Sequence, residues 1–529
     1  MRYVGYSEYF HDAGIAVIEE DGTISYATQS ERYTKKKYDP LIPDSLWDNV
    51  IRKSDKISYY QNPELLKKKP NAVYNPEFAI YDWQGKHWRN NGQVYAPRTD
   101  LPITLFIGDD LVYDNYHMHH VSHVAQGYYT RPWESKEDTV MVSIDGCGEF
   151  QSIVVYDSNF NVLLEYLWPI SIGTYYSSMT DKLGFKKLQD EYIVMGMSSY
   201  GNVIPEVLKI FEDHWKYLLE VSDKKYAQYS WTDTVVLDDY LKDNSIEAML
   251  MKEAMSLKNL AYRPFMEIDW KKNKSEDLAA TVQKFTEDRI IEIMNFARKH
   301  GSKLIYSGGV AQNIVANSIV RDMFDDMHVA ISPSDSGSSI GAAAKTWSDE
   351  TGGDKLIWTP YLGYDIKREI NPKEVVDYLV KNKVCGVANG KAEFGPRALG
   401  NRSLLGDVRY DIKDTVNKIK KRELFRPFAP AILEEYADEY FDGHKNEYMQ
   451  YTCNAKHDYK SVIHVDGTSR CQVVKKDCQS VIRPILEEYY ERTGVPMLLN
   501  TSLNIKGQPI LNDEKDAADW EHKYKVRVF

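Results

Sequence analysis

Residues 1–30 and 139–168 are written to one plan, and that repeat restricts the fold more than any other feature of the chain. In the first copy, YVGYS and AGIAVIEE flank a polar EYFHD, and DGTISYATQ follows a tight Asp21-Gly22 turn. The pattern predicts strand, polar loop, strand, turn, strand. In the second copy, TVMVSIDG runs into CGEF, then QSIVVYD, a SNFN turn and VLLEYLW. The copies share little identity, but each sets an Asp and a Gly in or after its opening hairpin. Two unrelated hairpins would leave a similar trace.

A duplication of this kind is how actin-like, ribonuclease H-like ATPases are built, with nucleotide phosphates held between the halves. The residues that follow agree with an open α/β fold. Residues 276–300 carry the apolar spacing of an amphipathic helix with Gly301 as a stop. A short strand KLIYS leads to Gly308-Gly309 and the helix-compatible VAQNIVANSIVRDMF, so helix N–H groups would face a phosphate or ribose. A further loop, SPSDSGSSIGAAAK, sets Asp335 among small residues before another helix start. Gly and Pro cluster in DETGGDKLIWTP (349–360), where a domain boundary is expected. The Lys-, Tyr- and Asn-rich stretches 43–100 and 205–270 carry no readable function.

With 529 residues, 43% hydrophobic and 27% charged, the chain has the composition of a soluble protein of two or three domains. A net charge of −12 argues against a surface that embraces nucleic acid throughout, though it leaves room for one basic cleft. Five scattered cysteines without CxxC spacing predict a reducing compartment and neither a disulfide framework nor a zinc knuckle. The start, MRYVGYSEYFHDAG, has no apolar signal region, and no apolar run approaches a membrane span, so a cytoplasmic location is expected. The 39 tyrosines, with abundant Lys, Asn and Asp, match an AT-rich, virus-type genome.

Three constellations carry chemistry. HMHHVSHVAQGYY holds His119 and His123 four residues apart, on one helical face, with His120 pointing elsewhere; a histidine-rich surface turn is the bland alternative. Asp145 and Asp335, on their separate loops, could complete a His₂Asp₂ set suited to iron, manganese or zinc. His11-Asp12 pairs a group that titrates near neutrality with an acid able to hold its tautomer. EFGPRALGNRSLLGD (393–407) puts Arg397 and Arg402 on a glycine-rich loop, where the guanidinium fork and close backbone suit an anion. Arg426 in KKRELFRPFAPAIL, Arg470 in HVDGTSRCQVV, and Asn500, Thr501 and Ser502 in PMLLNTSLNIKGQPI sit on further turns. Each arginine alone is an ordinary surface residue; together they suggest a small, highly charged ligand.

HDAGIAV, SERYTKKKYD, HHVSHVAQ, SGGVAQNIVAN, SDSGSSIGAA, EFGPRALGNRS, FRPFAPAIL, HVDGTSRCQ and LLNTSLNIKGQPI, in that order over nearly the whole chain, resemble the O-carbamoyltransferase family of nodulation-factor and antibiotic carbamoyltransferases. The resemblance implies an actin-like transfer domain at 1–352, similar to tRNA threonylcarbamoyl-adenosine transferases, and a YrdC-like α/β domain at 353–529. The second would make carbamoyl-adenylate from carbamoyl phosphate and ATP with Mg; the first would pass the carbamoyl group to an alcohol and release AMP. By motif, His119, His123, Asp145 and Asp335 match the metal set, with iron the first choice. Lys37, Gly146, Gly148, Gly308, Gly309 and Asn313 match nucleotide contacts, and His11, beside Asp12, matches the general base. Lys391, Arg397, Arg402, Arg426, Arg470, Asn500 and Ser502 match the phosphate and carbamoyl phosphate contacts. A homodimer is compatible with the resemblance. Ile193 and Ser199 stand where the family usually has Lys and Pro, and the tail after GQPI is short, which puts local contacts there in doubt.

The family's acceptors run from sugars and antibiotics to hydroxymethylated cytosine in phage-type DNA. The virus-type composition, KKK at 35–37 and 67–69, and Tyr33, Tyr38, Tyr59 and Tyr60 as stacking surfaces point to hydroxymethylcytosine. The net charge points to a small-molecule alcohol instead. A non-catalytic actin-like nucleotide-binding protein and a transferase acting on tRNA are the other readings.

Overall fold

The computed structural model describes residues 1–8, 10–52, 54–62, 105–107, 110–113, 115–149, 151–226 and 263–529. The 67–69 lysine cluster and much of 43–100 and 205–270 lie outside the described residues. The repeat is real, strand by strand. Strands β1 (Arg2–Ser7), β2 (Gly14–Glu19) and β3 (Ile24–Gln29) form an antiparallel meander. β4 (Lys56–Tyr59) and β5 (Asn115–Tyr116) continue the sheet in parallel, giving the order β3-β2-β1-β4-β5. The second half has β6 (Thr139–Ile144), β7 (Gln151–Asp157), β8 (Val162–Leu167), β9 (Lys303–Ser307) and β10 (Asp326–Val329), in the order β8-β7-β6-β9-β10 with the same directions. Two sheets of one topology, three antiparallel strands then two parallel, are the actin-like, ribonuclease H-like architecture.

The first strand of each sheet is buried along almost its whole length because helices cover both faces. Val140, Val142 and Ile144 of β6 are fully buried, each contributing about 1.5–3 kcal/mol relative to exposure. Helix α1 (His119–Tyr129) packs against the sheets, followed in chain order by α2 (Glu191–Ser198), α3 (Ser275–Ala297), α4 (Ile314–Arg321) and α5 (Asp335–Thr351). The small residues of α5 have a steric reason. A Cβ on Gly341 would lie 1.7 Å from the Ser122 carbonyl oxygen of α1, and one on Gly5 would lie 2.0 Å from the Ser339 carbonyl oxygen. The helix is wedged between α1 and β1 at backbone contact. The expected helix after Gly308-Gly309 divides into a short 3₁₀ turn (Gly309–Gln312) and α4, because Asn313 takes an extended conformation and caps α4 by accepting Ala316 N–H at 3.1 Å.

After residue 360 a mixed sheet runs β12 (Val384–Ala388), β14 (Arg402–Gly406), β17 (Met497–Ser502), β15 (Ala429–Leu433), β16 (Gln472–Val474), while β11 (Tyr361–Ile366) pairs with β13 (Gly390–Glu393). The tail beyond Tyr524 does add to this sheet: Gly386 N–H donates to Arg527 O and Phe529 N–H to Gly386 O. Backbone and side-chain bonds tie the two parts together, among them Ser318 with Thr452 and Gln450 with the Val329 and Ala330 carbonyls. No helix among the described residues is long and apolar enough to cross a membrane.

Candidate active site

The ends of β1 and β6 and the start of α5 meet, and they carry the histidine and acid motifs to one point. α1 puts His119 and His123 on one face, their Nε2 atoms 3.0 Å apart. Asp145, just past β6, places Oδ2 2.9 Å from His123 Nε2 and 3.4 Å from His119 Nε2. Asp335 opens α5 and places Oδ1 3.4 Å from His123 Nε2. One ligand atom from each of the four lies within 4.8 Å of every other, so the set could hold one metal ion. Burial would lower the His123 pKa, but hydrogen bonds to Asp145 and Asp335 push it up to about 9. Burial likewise opposes ionisation of Asp145, yet His119 and His123 hold its carboxyl well below the usual range. Three buried ligand groups and the half-buried Asp145, two imidazoles and two carboxylates, form a donor set suited to a divalent cation. Ser338 Oγ stands 3.1 Å from His123 Nδ1 and orients that ring. His120 turns away as expected, onto Ser143 Oγ and the Gln151 carbonyl, and burial lowers its pKa to about 3.

A residue the sequence did not flag supports the set. Glu149, buried, accepts His119 N–H at 2.9 Å and Asn62 N–H at 2.8 Å, placing a carboxylate at the start of α1. Only its place in the second repeat's loop could have singled it out. His11 Nε2 lies 3.7 Å from Asp335 Oδ2. Asp12, in the left-handed conformation, accepts from Ser334 Oγ at 2.6 Å and Ser336 Oγ at 3.1 Å, tying the His11 turn to the start of α5. Burial and the nearby Glu31 raise its pKa. Its Oδ2 is committed to the two serines and its Oδ1 accepts from Gln29 Nε2 at 3.4 Å, so among the described residues its bonds go to groups other than the His11 imidazole whose tautomer it was expected to hold.

His11, Asp12, Asp145 and Asp335 line one end of a cavity of about 320 Å³ whose other wall comes from the C-terminal part. Arg397, Arg422, Arg426 and Arg470 converge there with Lys420. Burial lowers the Arg470 pKa well below normal, and Arg397, Arg422 and Arg426 add repulsion. Among the described residues Arg397, Arg422 and Arg470 form no ion pair; Arg426 has Glu423 at 3.5 Å and covers the Tyr192 ring at 4.6 Å. Lys420 is held by Ser502 and by the Asn504 Oδ1 at 2.8 Å. A nest of four half-buried arginines and the buried Lys420, with so little anionic compensation, is suited to a polyanion. Lys420 and Arg422 were not singled out from the sequence, though they stand in the same KKRELFRPF run as Arg426.

Several expected contacts go elsewhere. Arg402 is fully buried and donates to the carbonyls of Asn512, Asn389, Gly390, Asn401 and Tyr364; its guanidinium is consumed by backbone and does not reach the cavity. Lys391 is exposed, its ammonium 3.4 Å from the Ser25 carbonyl. Gly148 lies off the cavity wall, under His119, where a Cβ would come within 2.8 Å of the ring. Gly146, Gly309 and Asn313 line the cavity, with Asn313 engaged by Gln283 at 3.0 Å; Gly308 sits behind them on the Ile144 carbonyl. Lys37 lines the cavity paired with Glu31 at 2.8 Å, and Asn500 and Ser502 lie on its C-terminal wall. Tyr59 and Tyr60 are core residues rather than stacking surfaces, and Tyr33 bonds Tyr26; only Tyr38 of that group reaches the cavity. Ile193 is buried in the core, where a lysine would need a partner.

Fold and site together define a two-part α/β protein in which a His₂Asp₂ set able to hold a metal ion faces a cationic pocket. Family models for the carbamoyltransferase N-terminus and C-terminus match residues 105–344 and 376–529. Nodulation protein U of Bradyrhizobium diazoefficiens is 30% identical over 560 residues, which cover 96% of this chain and 93% of that one. An uncharacterised protein of Methanocaldococcus jannaschii is 27% identical over 541 residues, covering 96% and 94%. The ADPNP-bound activator of the 2-hydroxyisocaproyl-CoA dehydratase from Clostridium difficile matches 66% of this chain and 96% of its own, at 12% identity and a TM-score of 0.35. The chain belongs to the carbamoyltransferase family and is an enzyme that transfers a carbamoyl group.

Proposed function

We propose an ATP-dependent O-carbamoyltransferase whose residues 353–529 form carbamoyl-adenylate and whose residues 1–352 transfer it. The observation that carries this reading is one cavity, cationic at one end and lined by His11, Asp145 and Asp335 at the other. In the first step water releases phosphate from carbamoyl phosphate to leave carbamate. Carbamate oxygen then attacks the α-phosphorus of Mg·ATP, and pyrophosphate leaves. Arg397, Arg422, Arg426 and Arg470 offset the phosphate charge that would otherwise repel the anionic nucleophile. In the second step the acceptor hydroxyl attacks the carbamoyl carbon, its proton passes to His11, and AMP leaves. A divalent metal on His119, His123, Asp145 and Asp335, iron before manganese or zinc, would supply fixed positive charge at the transfer end.

For the acceptor we propose the hydroxymethyl group of 5-hydroxymethylcytosine, in nucleotide or DNA; the virus-type composition and the three tyrosines lining the cavity, Tyr38, Tyr176 and Tyr192, support it. A second reading, a small-molecule alcohol, is favoured by the burial of Tyr59 and Tyr60 and by the pairing of Lys35 with Asp516 and Lys37 with Glu31. The test is incubation with carbamoyl phosphate, ATP and each acceptor, followed by mass spectrometry for one added carbamoyl group. Modification of hydroxymethylated DNA should fall steeply with salt, as counterion release requires. Modification of sugars alone, with DNA and nucleotide untouched, replaces the first acceptor by the second.

A further inference from the structure

Arg32 belongs to the N-terminal part yet its side chain serves the C-terminal one. It lies on the short helix Glu31–Thr34 and is 2% exposed. Its Nη2 donates to the carbonyls of Glu393 and Gly395, each at 3.4 Å, and its Nε and Nη1 have no hydrogen-bond partner among the described residues. No carboxylate among the described residues forms an ion pair with it. An arginine buried on such terms costs stability, so its placement calls for a reason beyond packing.

The reason lies in what those two carbonyls hold. They open the turn between β13 and β14 that carries Arg397. That turn is closed from inside by the Glu393 carboxylate, whose Oε1 accepts the N–H groups of Leu399 at 2.7 Å, Asn401 at 3.1 Å and Arg402 at 3.2 Å. Gly395 has φ of +108° and would bring a Cβ to 2.9 Å from the Ile331 carbonyl oxygen of the N-terminal part. The turn is therefore pressed onto the other half of the molecule, and Arg32 is the side chain that grips it there. Two residues on, the Arg397 guanidinium enters the cavity.

We propose that Arg32 is a positioning residue for the first half-reaction: from the transfer half it fixes the turn that presents Arg397 to the phosphate-binding nest. The anion site is then complete only while the two halves are docked, which keeps carbamoyl-adenylate from forming away from the acceptor. This rests on the function proposed above.

The test follows the two steps separately in Arg32→Gln and Arg32→Lys, measuring carbamoyl phosphate-dependent pyrophosphate release and transfer from supplied carbamoyl-adenylate. Arg32→Gln should raise KM for carbamoyl phosphate by about tenfold or more, while transfer from supplied adenylate stays within about twofold of the wild type. Arg32→Lys, keeping one charged donor, should fall between. Arg32→Gln combined with Arg397→Ala should be no worse than Arg397→Ala alone, because the two act through one contact. An unchanged KM overturns the positioning role. So does an equal loss of both steps that Arg32→Lys does not relieve, since that describes a structural prop. Wild-type protein that releases no pyrophosphate overturns the proposed function and this inference with it.

Discussion

Arg397 and Arg402 stand five residues apart in one motif, and replacing each by methionine should move stability in opposite directions. Burial lowers both guanidinium groups to about 10. For Arg397 the drop from 12.5 amounts to roughly 3 kcal/mol at 1.36 kcal/mol per tenfold, an upper bound on the cost of holding the charge. Arg402 offsets the same burial with hydrogen bonds to five carbonyls. Arg397 has Arg426 as an added repulsion. Arg397→Met should therefore leave the ligand-free protein unchanged or more stable, by about 1 kcal/mol once lost packing is discounted. Carbamoyl phosphate-dependent pyrophosphate release should fall at least tenfold, about 1.4 kcal/mol of barrier. Arg402→Met strands buried carbonyl acceptors at about 1–3 kcal/mol each before relaxation, so it should destabilise by about 3 kcal/mol or more. Thermal unfolding without ligand and a coupled pyrophosphate assay read both. If Arg397→Met unfolds at a lower temperature with its activity intact, or Arg402→Met is stable and inactive, the division between a binding and a structural arginine is wrong.

The metal set should show in composition. The His119→Ala/His123→Ala double variant should lose stoichiometric metal by elemental analysis, and retention of the full amount would refute the assignment. Gly148→Ala pushes a methyl group to 2.8 Å from the His119 ring and should lower metal occupancy while the circular dichroism spectrum holds. His11→Asn should release pyrophosphate and form carbamoyl-adenylate at wild-type rate yet yield little carbamoylated product; intact product formation removes His11 from the transfer step.

Much of the architecture was legible because it rests on local periodicity. The paired hairpins, the 275–297 helix, the strand before Gly308 and the start of α5 at Asp335 follow from alternation, turn residues and caps, which act over a few positions. The His119 and His123 pair was legible for the same reason, since helical geometry alone puts residues four apart on one face. The break at Asn313 was not, because its capping side chain competes with a helix the composition allows.

What the sequence determined by itself was the kind of chemistry: two imidazoles on one helical face, two carboxylates on separate loops, and a C-terminal part rich in arginine turns. Only the tertiary structure decided which of those groups face the reaction. Arg397 and Arg402 share a motif, but one guanidinium ends in the cavity and the other in a ring of carbonyls supplied by residues as distant as Asn512. Lys420 and Arg422 join the nest although the sequence marked only Arg426 of their run, and Tyr59 and Tyr60 are buried in the core rather than left on the surface. A side chain's identity sets which interactions it can make; whether it meets ligand, backbone or core depends on partners hundreds of residues away, and no local pattern encodes their positions.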